Sequence, residues 1–413
     1  MNDGFNTGTA IRGEKMSRTG KRLLLVLILF AIITSSAACA GTGAGSTGSG
    51  TMSAGSGSGS AGIAGSGTDT DKEKGENAGQ TDALPEKTVI RLAYTAGGHV
   101  FNAIAQQQGY LDEEGISVEY VPVKTDAEVF RGIKEGTIDV ASNSGTNLPL
   151  QMISEGMDLT IFGGYLLTGC MPIIAKTETP WTGIEDLIGK KAAFEPNVYA
   201  VTGPLLDRGY DPVHDITWLE FEDQADRIKA VESGEADFAL VGTDLNYEVN
   251  KNPGIKVLAY ASDILPDYSC CRVEASSKWV SENPNTVKAL LRAWIRAMAY
   301  YDAHHDEIVS LMVDVTGREE EFVRAYLDNP RFGLNVDPMR ESVRRAWEYM
   351  DRLGLLDEEA KRINIDEHVN TALYGEALDE CQMKYGKENL KFYEKLQSQF
   401  AKNNPIPEPE DEQ

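Results

Sequence analysis

Cysteine and histidine are scarce, with five of each in 413 residues. Cys39, Cys170, Cys270, Cys271 and Cys381 are too sparse for a disulfide framework, and none of them shows the C-x-x-C spacing of a zinc site. The sequence has no H-E-x-x-H and no G-x-x-x-x-G-K-[ST], so neither a zinc-protease helix nor a phosphate-binding loop can be read from it. Positive charge is in short supply too. Lys and Arg number 39 against 64 Asp and Glu, a formal net charge of −25. That sign is wrong for a nucleic-acid footprint or a polybasic membrane surface. The apolar run at residues 23–33 falls short of the roughly 20 residues of a spanning helix. What remains is 41% hydrophobic and 8% aromatic, ordinary for a chain that buries a core. The length admits two or three domains.

The first segment reads as an address. Arg18, Lys21 and Arg22 precede the apolar run, and small residues then lead to Cys39. That is the layout of a secretory signal over residues 1–38, with Met16 as an alternative start. Ser36-Ala37-Ala38-Cys39 resembles the bacterial lipoprotein cleavage motif, with Ser36 where Leu is commonest. The resemblance implies lipidation of Cys39 and anchoring at the extracytoplasmic face of the cell membrane. Residues 39–87 begin with Gly, Ser, Thr and Ala and continue polar, which is the composition of a flexible tether. Residues 401–413 are an acidic tail.

Between these ends, strand-like and helix-like segments alternate. The β-branched run 89–94 ends at Gly97-Gly98, and a helical segment over 99–108 stops at Gly109. Strand 116–123, helix 126–135, strand 138–141, loop 142–146, helix 148–155 and strand 159–163 follow. This alternation predicts an α/β fold with parallel strands. Residues 127–141 recur at an offset of 98 as residues 225–239, aligning Gly136 with Gly234, Asp139 with Asp237 and Ala141 with Ala239. The repeat predicts two similar lobes. Beyond residue 273 the pattern turns helical, starting with Asn283-Pro284 as cap and first helical residue. Further helices are predicted over 319–327, 338–353 and 389–400.

Four stretches together carry a family resemblance: residues 109–119 (GYLDEEGISVE), 136–141 (GTIDVA), 184–191 (IEDLIGKK) and 282–284 (ENP). In that order they resemble the solute-binding lipoproteins of ABC importers, in the nitrate/sulfonate/taurine and thiamine-precursor-like branch. The resemblance covers about residues 88–356 and does not extend to the segment after 357. It implies a type II periplasmic-binding fold, two α/β lobes joined by two hinge strands, with C-terminal helices added. Lobe 1 is then 88–170 and 265–400, and lobe 2 is 171–264, with crossings near 163–176 and 258–274.

The same resemblance implies a monomeric binding component without cofactor, catalytic residue or bound metal. It would deliver a small solute to permease and ATPase chains encoded separately. A sensory lipoprotein or an enzyme on the same fold are the alternatives. The solute is open between an oxyanion, such as sulfonate or nitrate, and a small aromatic of the vitamin-precursor kind.

In open α/β sheets ligands sit beyond the carboxyl ends of strands, where helix N-termini favour anions. The residues so placed are Thr95, His99, Asn143, Ser144, Thr146, Thr243 and Asp244, with Tyr199 opening a helix of the inserted lobe and Tyr165 and Arg272 near the crossings. Each has a plainer reading. Ser144, Thr146, Thr243 and Asp244 suit helix caps, His99 a surface first turn, and Tyr165 and Tyr199 core aromatics. Arg272 could pair a ligand anion or a protein acid. Asp244 in a cleft would repel an anion and favour an amine. Cys170 on one crossing and Cys270 or Cys271 on the other could bridge, with buried reduced thiols the favoured expectation.

Overall fold

A computed structural model describes residues 83–405, apart from 95–98, 124, 169 and 222. The expected leader, Cys39, most of the tether, Thr95 and most of the acidic tail lie outside the described residues. Twelve strands are described: β1 (Val89–Tyr94), β2 (Ser117–Pro122), β3 (Val140–Gly145), β4 (Leu159–Gly164), β5 (Leu166–Thr168), β6 (Pro172–Lys176), β7 (Lys191–Ala193), β8 (Thr217–Trp218), β9 (Phe238–Leu240), β10 (Ile255–Tyr260), β11 (Cys271–Ser276) and β12 (Gly333–Leu334).

The first sheet has the order β2-β1-β3-β11-β4, and the second, read from its β8 edge, β8-β7-β9-β6-β10. Each is parallel except for one strand. β11 runs antiparallel to β3 and β4, and β6 runs antiparallel to β9 and β10. The two antiparallel strands are the first that the chain forms after each passage between sheets, at residues 165–171 and 261–270. The two sheets therefore share one topology.

The 98-residue repeat has a physical cause. Helices Asp126–Glu135 and Gln224–Ser233 both end at a left-handed glycine, Gly136 (φ 69°) and Gly234 (φ 81°), a conformation that side chains with a Cβ resist. Asp139 then accepts the backbone N–H of Arg91 on β1 at 2.8 Å, and Asp237 accepts that of Lys191 on β7 at 2.9 Å. Each Asp also donates its own N–H back to the same residue's carbonyl, at 2.9 Å in both cases. The aligned acids thus set the register between the first and third strands of each sheet.

In the second lobe, successive strand residues face opposite sides, as the period of a strand requires. Ile173, Ala192 and Phe238 enter one apolar cluster, and Ile174, Ala193 and Ala239 the other. The first lobe packs a larger core around β1, β3, β4 and helix Pro284–Tyr301, whose Trp294 is fully buried. Among the described residues no helix is long and apolar enough to cross a membrane.

The segment after residue 357 covers β4, an edge strand of the first sheet. Asn370 donates its backbone N–H to the Ile161 carbonyl at 2.8 Å, Val369 bridges Ile161, and His368 Nδ1 lies 2.7 Å from the Leu159 carbonyl. An uncovered edge is a template for pairing with other chains, and this segment occupies it. Helix Ala372–Tyr385 then packs on helix Pro284–Tyr301, and helix Leu390–Asn403 packs on Ala372–Tyr385.

Candidate functional site

β3 runs further than its sequence predicts. Ser142, Asn143 and Ser144 belong to the strand rather than to a loop, because β11 pairs Arg272 with Ser144 and Cys271 with Gly145. Thr146 follows at once and precedes helix Asn147–Ser154. It does not cap that helix with its side chain. Its backbone N–H donates to the Cys270 carbonyl at 2.8 Å, and its hydroxyl donates to the Ser269 carbonyl and lies 3.2 Å from that of Cys270.

Tyr199 reaches the same point from the second lobe, at the start of helix Tyr199–Asp207. It is fully buried, its hydroxyl lies 3.1 Å from Ser269 Oγ and 3.3 Å from the Ser269 carbonyl, and its ring meets Tyr268 edge to face at 5.2 Å. Burial pushes the Tyr199 hydroxyl above its ordinary pKa, so it stays a neutral donor. Two candidates from different lobes thus converge on Ser269, in the second crossing. Sequence reasoning missed Ser269, since no periodicity or motif marks one Ser within a crossing.

Beside this cluster, three side-chain amides span the lobes. Asn147 Nδ2 donates to Asn197 Oδ1 at 3.3 Å, and Asn197 Nδ2 donates to Gln151 Oε1 at 3.2 Å. Asn147 and Gln151 lie four apart on one helical face, which lets both reach the same partner.

His99 and Tyr165 lie together inside the first lobe. The His99 ring stacks between Tyr165 at 4.0 Å and Trp294 at 4.6 Å. His99 Nδ1 accepts the Asn102 N–H at 3.2 Å, capping helix Val100–Gln107, and the Tyr165 hydroxyl accepts the Val100 N–H at 2.9 Å. Burial pulls the imidazole pKa down to about 3, so the ring is neutral. With Nδ1 accepting, the network assigns the proton to Nε2, and that buried atom has no partner among the described residues. The surface reading of His99 does not fit this burial.

Arg272 is fully enclosed. Its Nη1 donates to the Asp337 carbonyl at 2.6 Å, and Nη2 lies 3.5 Å from the Leu166 carbonyl. The Asp337 carboxylate is held in turn by Asn404 Nδ2 at 2.8 Å, Asn403 Nδ2 at 3.0 Å and the Met339 N–H at 2.8 Å. The structure places this guanidinium among protein groups, with the C-terminal helix closing over it.

Thr243 and Asp244 form a single 3₁₀ turn after β9. Asp244 is exposed, yet the surrounding protein raises its carboxyl pKa, with Glu248 adding to the rise and Arg318 opposing it. Two residues on, Asn246 is only 1% exposed, and neither of its amide atoms has a partner among the described residues. Asn143 is half-buried on β3.

The lobes also meet where helix Tyr199–Asp207 packs on helix Arg340–Arg352. A Cβ on Gly203 would lie 2.6 Å from Tyr349 ring atoms, and the Tyr349 hydroxyl donates to Asp207 at 2.5 Å. Gly203→Ala is therefore expected to cost about 1–3 kcal/mol by overpacking, outweighing the helix propensity it gains. Urea unfolding checks this, and adding Tyr349→Ala should remove most of the Gly203→Ala penalty, since the clashing ring is gone.

A family model described as NMT1/THI5 like matches residues 97–308. Among solved structures, the alkanesulfonate-binding protein SsuA from Xanthomonas axonopodis pv. citri, bound to MOPS, is similar with a TM-score of 0.58 and 18% identity, covering 70% of this chain and 99% of that one. The periplasmic nitrate-binding protein NrtA from Synechocystis PCC 6803 is similar with a TM-score of 0.58 and 18% identity, covering 72% and 90%. The periplasmic aliphatic sulphonate-binding protein SsuA from Escherichia coli follows at 0.55 and 18%, covering 69% and 92%. At these identities the likeness establishes the fold, that of periplasmic binding proteins. No curated protein sequence matches the chain.

Proposed function

The chain belongs to the NMT1/THI5-like family, and on that premise we propose that it is the extracytoplasmic solute-binding component of an ABC importer. It captures a small molecule between its lobes and presents it to a permease driven by a separate ATPase. The observation that carries this reading is the convergence of Thr146 and Tyr199, from different lobes, on Ser269 in a crossing segment. Polar groups meeting at a crossing couple what lies between the lobes to how the lobes sit. The sulfonate- and nitrate-binding neighbours support the same class of function. Anchoring through a lipidated Cys39 and a monomeric state complete the proposal, and a Cys39→Ala chain should then appear in the soluble fraction or stall unprocessed.

The solute is held by polar groups of both lobes. From the first lobe these are Thr95, Asn143 and the Nε2–H of His99. From the second they are Thr243, Asp244 and Asn246, whose buried amide offers both a donor and an acceptor. Ser144, Thr146, Tyr165, Tyr199 and Arg272 shape the site from behind. Thermal-shift screening against metabolites tests the reading, because a ligand that binds only the native state raises Tm. A screen covering anions, amines and aromatics with no hit, or turnover of a hit, would overturn it.

Asp244 sorts the ligand classes. For a ligand bearing an amine, Asp244→Asn should weaken binding by ~1–3 kcal/mol, roughly five- to 150-fold by calorimetry. For a sulfonate or nitrate, the same change should leave affinity unchanged or improve it, since it removes a repelling charge. An unchanged affinity for an amine would take Asp244 out of the site.

A further inference from the structure

Left-handed backbone outside glycine gathers in one region. Among the described residues, Met171, Asp267 and Met339 are the non-glycine residues with positive φ, at 52°, 59° and 55°. Met171 lies in the first crossing, Asp267 in the second, and Met339 caps the start of helix Arg340–Arg352. Asp tolerates this conformation and Met seldom adopts it, so it persists only where the surroundings fix it. Across the two crossings, the Met171 sulfur accepts the Tyr268 hydroxyl at 2.9 Å. The Asp267 carbonyl accepts Ser342 Oγ at 2.8 Å and Arg345 Nη2 at 3.0 Å, and the Ser269 N–H donates to Ser342 Oγ at 3.2 Å. Helix Arg340–Arg352 is thus bonded to the second crossing at its first turns.

The segment after residue 357 holds the same region from outside. Lys402 Nζ pairs with the Asp267 carboxylate at 2.8 Å. Asn404 donates to Asp337 Oδ1 at 2.8 Å and accepts the Arg340 N–H at 2.9 Å. Arg340 Nη2 donates to Thr371 Oγ1 at 2.7 Å, and Arg344 Nη2 to Asp366 at 2.8 Å. The loop that carries Asp337 also meets the first crossing, where β12 pairs with β5 and the Asn335 N–H donates to the Tyr165 carbonyl at 2.9 Å. We propose that this segment is a hinge clamp: its last helix fixes the second crossing and so sets how readily the two lobes separate.

Ser269, on which Thr146 and Tyr199 converge, lies two residues from Asp267. The backbone shape held at Asp267 therefore decides whether Ser269 reaches both lobes at once. A crossing that turns through other φ values carries Ser269 away from one of them, and the lobes part. The exposed Lys402–Asp267 pair contributes little by itself. The contacts of Asn404 with Asp337 contribute more, because both side chains are buried and a buried carboxylate without its donor is costly. Together these contacts bias an equilibrium between joined and separated lobes. The inference rests on the reading of the chain as a two-lobed binder, and it gives the segment outside the family resemblance a part in closing that site. Its test needs no solute.

The test measures the distance between the lobes in the full chain by pulsed electron resonance. Spin labels are attached at Lys134→Cys and Glu235→Cys, exposed positions beside the helix-ending glycines of the two lobes. Cys39→Ala removes one native thiol, and the four described cysteines are buried. In Lys402→Ala/Asn404→Ala the longer-distance population should grow roughly tenfold, the scale of one lost buried hydrogen bond. Asp267→Gly should behave alike, because glycine accepts the left-handed φ, frees the crossing and drops the Lys402 pair. Amide hydrogen exchange should quicken at residues 261–270 in both variants, while β1, β3, β7 and β9 exchange as in the wild type. Unchanged distances in both variants would overturn the proposal, and so would faster exchange along the whole chain without a longer distance. If the double variant does not fold, Asp267→Gly decides the matter. A chain that opens as expected yet binds nothing in the metabolite screen would refute the solute-binding reading and leave the clamp standing.

Discussion

Acidification from pH 7 to pH 4 is expected to cost the folded protein roughly 3 kcal/mol through His99 alone. The unfolded chain takes up a proton on this residue near pH 6.5, whereas in the fold burial defers protonation to about pH 3. Between those values the unfolded state binds more protons, so stability rises with pH. The contribution is fully present above about pH 6.5 and is lost as pH falls toward 3. Asp337, buried and raised in pKa, works with the opposite sign, because its folded carboxyl takes a proton before the unfolded one does. A comparison of variants separates the two. His99→Asn keeps a side-chain acceptor at the helix cap but has no titrating ring between Tyr165 and Trp294. It should be less stable than wild type at pH 7, and urea unfolding should show the gap narrowing by about 3 kcal/mol at pH 4. A gap that stays constant with pH would mean that the buried ring titrates normally.

Arg292→Ala should be the most damaging single change outside the candidate site, at about 3–5 kcal/mol. Arg292 Nε donates to Glu114 at 2.7 Å, and Nη1 donates to Glu380 at 2.6 Å. The three side chains are only 11%, 8% and 20% exposed. Removing the guanidinium leaves two poorly solvated carboxylates near each other with their shared cation gone. The loss should also loosen helix Ala372–Tyr385, which carries Glu380, and so increase proteolytic nicking after residue 357. Replacing all three groups, Arg292→Met with Glu114→Gln and Glu380→Gln, should recover most of the loss, because the desolvation of the charges disappears with the attraction. If Arg292→Ala unfolds at the wild-type urea midpoint, the triad contributes no more than a surface pair.

Much of the architecture is legible in the chain because it is written in short periods. Strand and helix alternation, the glycine stops and the 98-residue offset all reflect neighbours within a turn or a pleat. The pattern predicts a helix over 389–400, close to the observed Leu390–Asn403, yet nothing in it says that Asn403 and Asn404 grip Asp337. The loop ends are placed well enough to name Thr146 and Tyr199, but their shared partner Ser269 lies 123 and 70 residues away in the chain. The amide Asn246 is invisible to such a reading, because burial without a partner is not a property of spacing.

Two α/β lobes of one topology and a helical C-terminal part follow from the amino acids in order, since the hydrophobic period and the positions of glycine depend on local geometry. Which polar side chains are spent is a matter of packing. Arg272 became a buried guanidinium because a carbonyl 65 residues later accepts its hydrogen bond, and His99 became a core ring because Trp294 stacks on it. Whether such a group faces a solute or the protein depends on desolvation and on partners supplied by distant segments. Those partners come together only when the sheets, crossings and terminal helices pack.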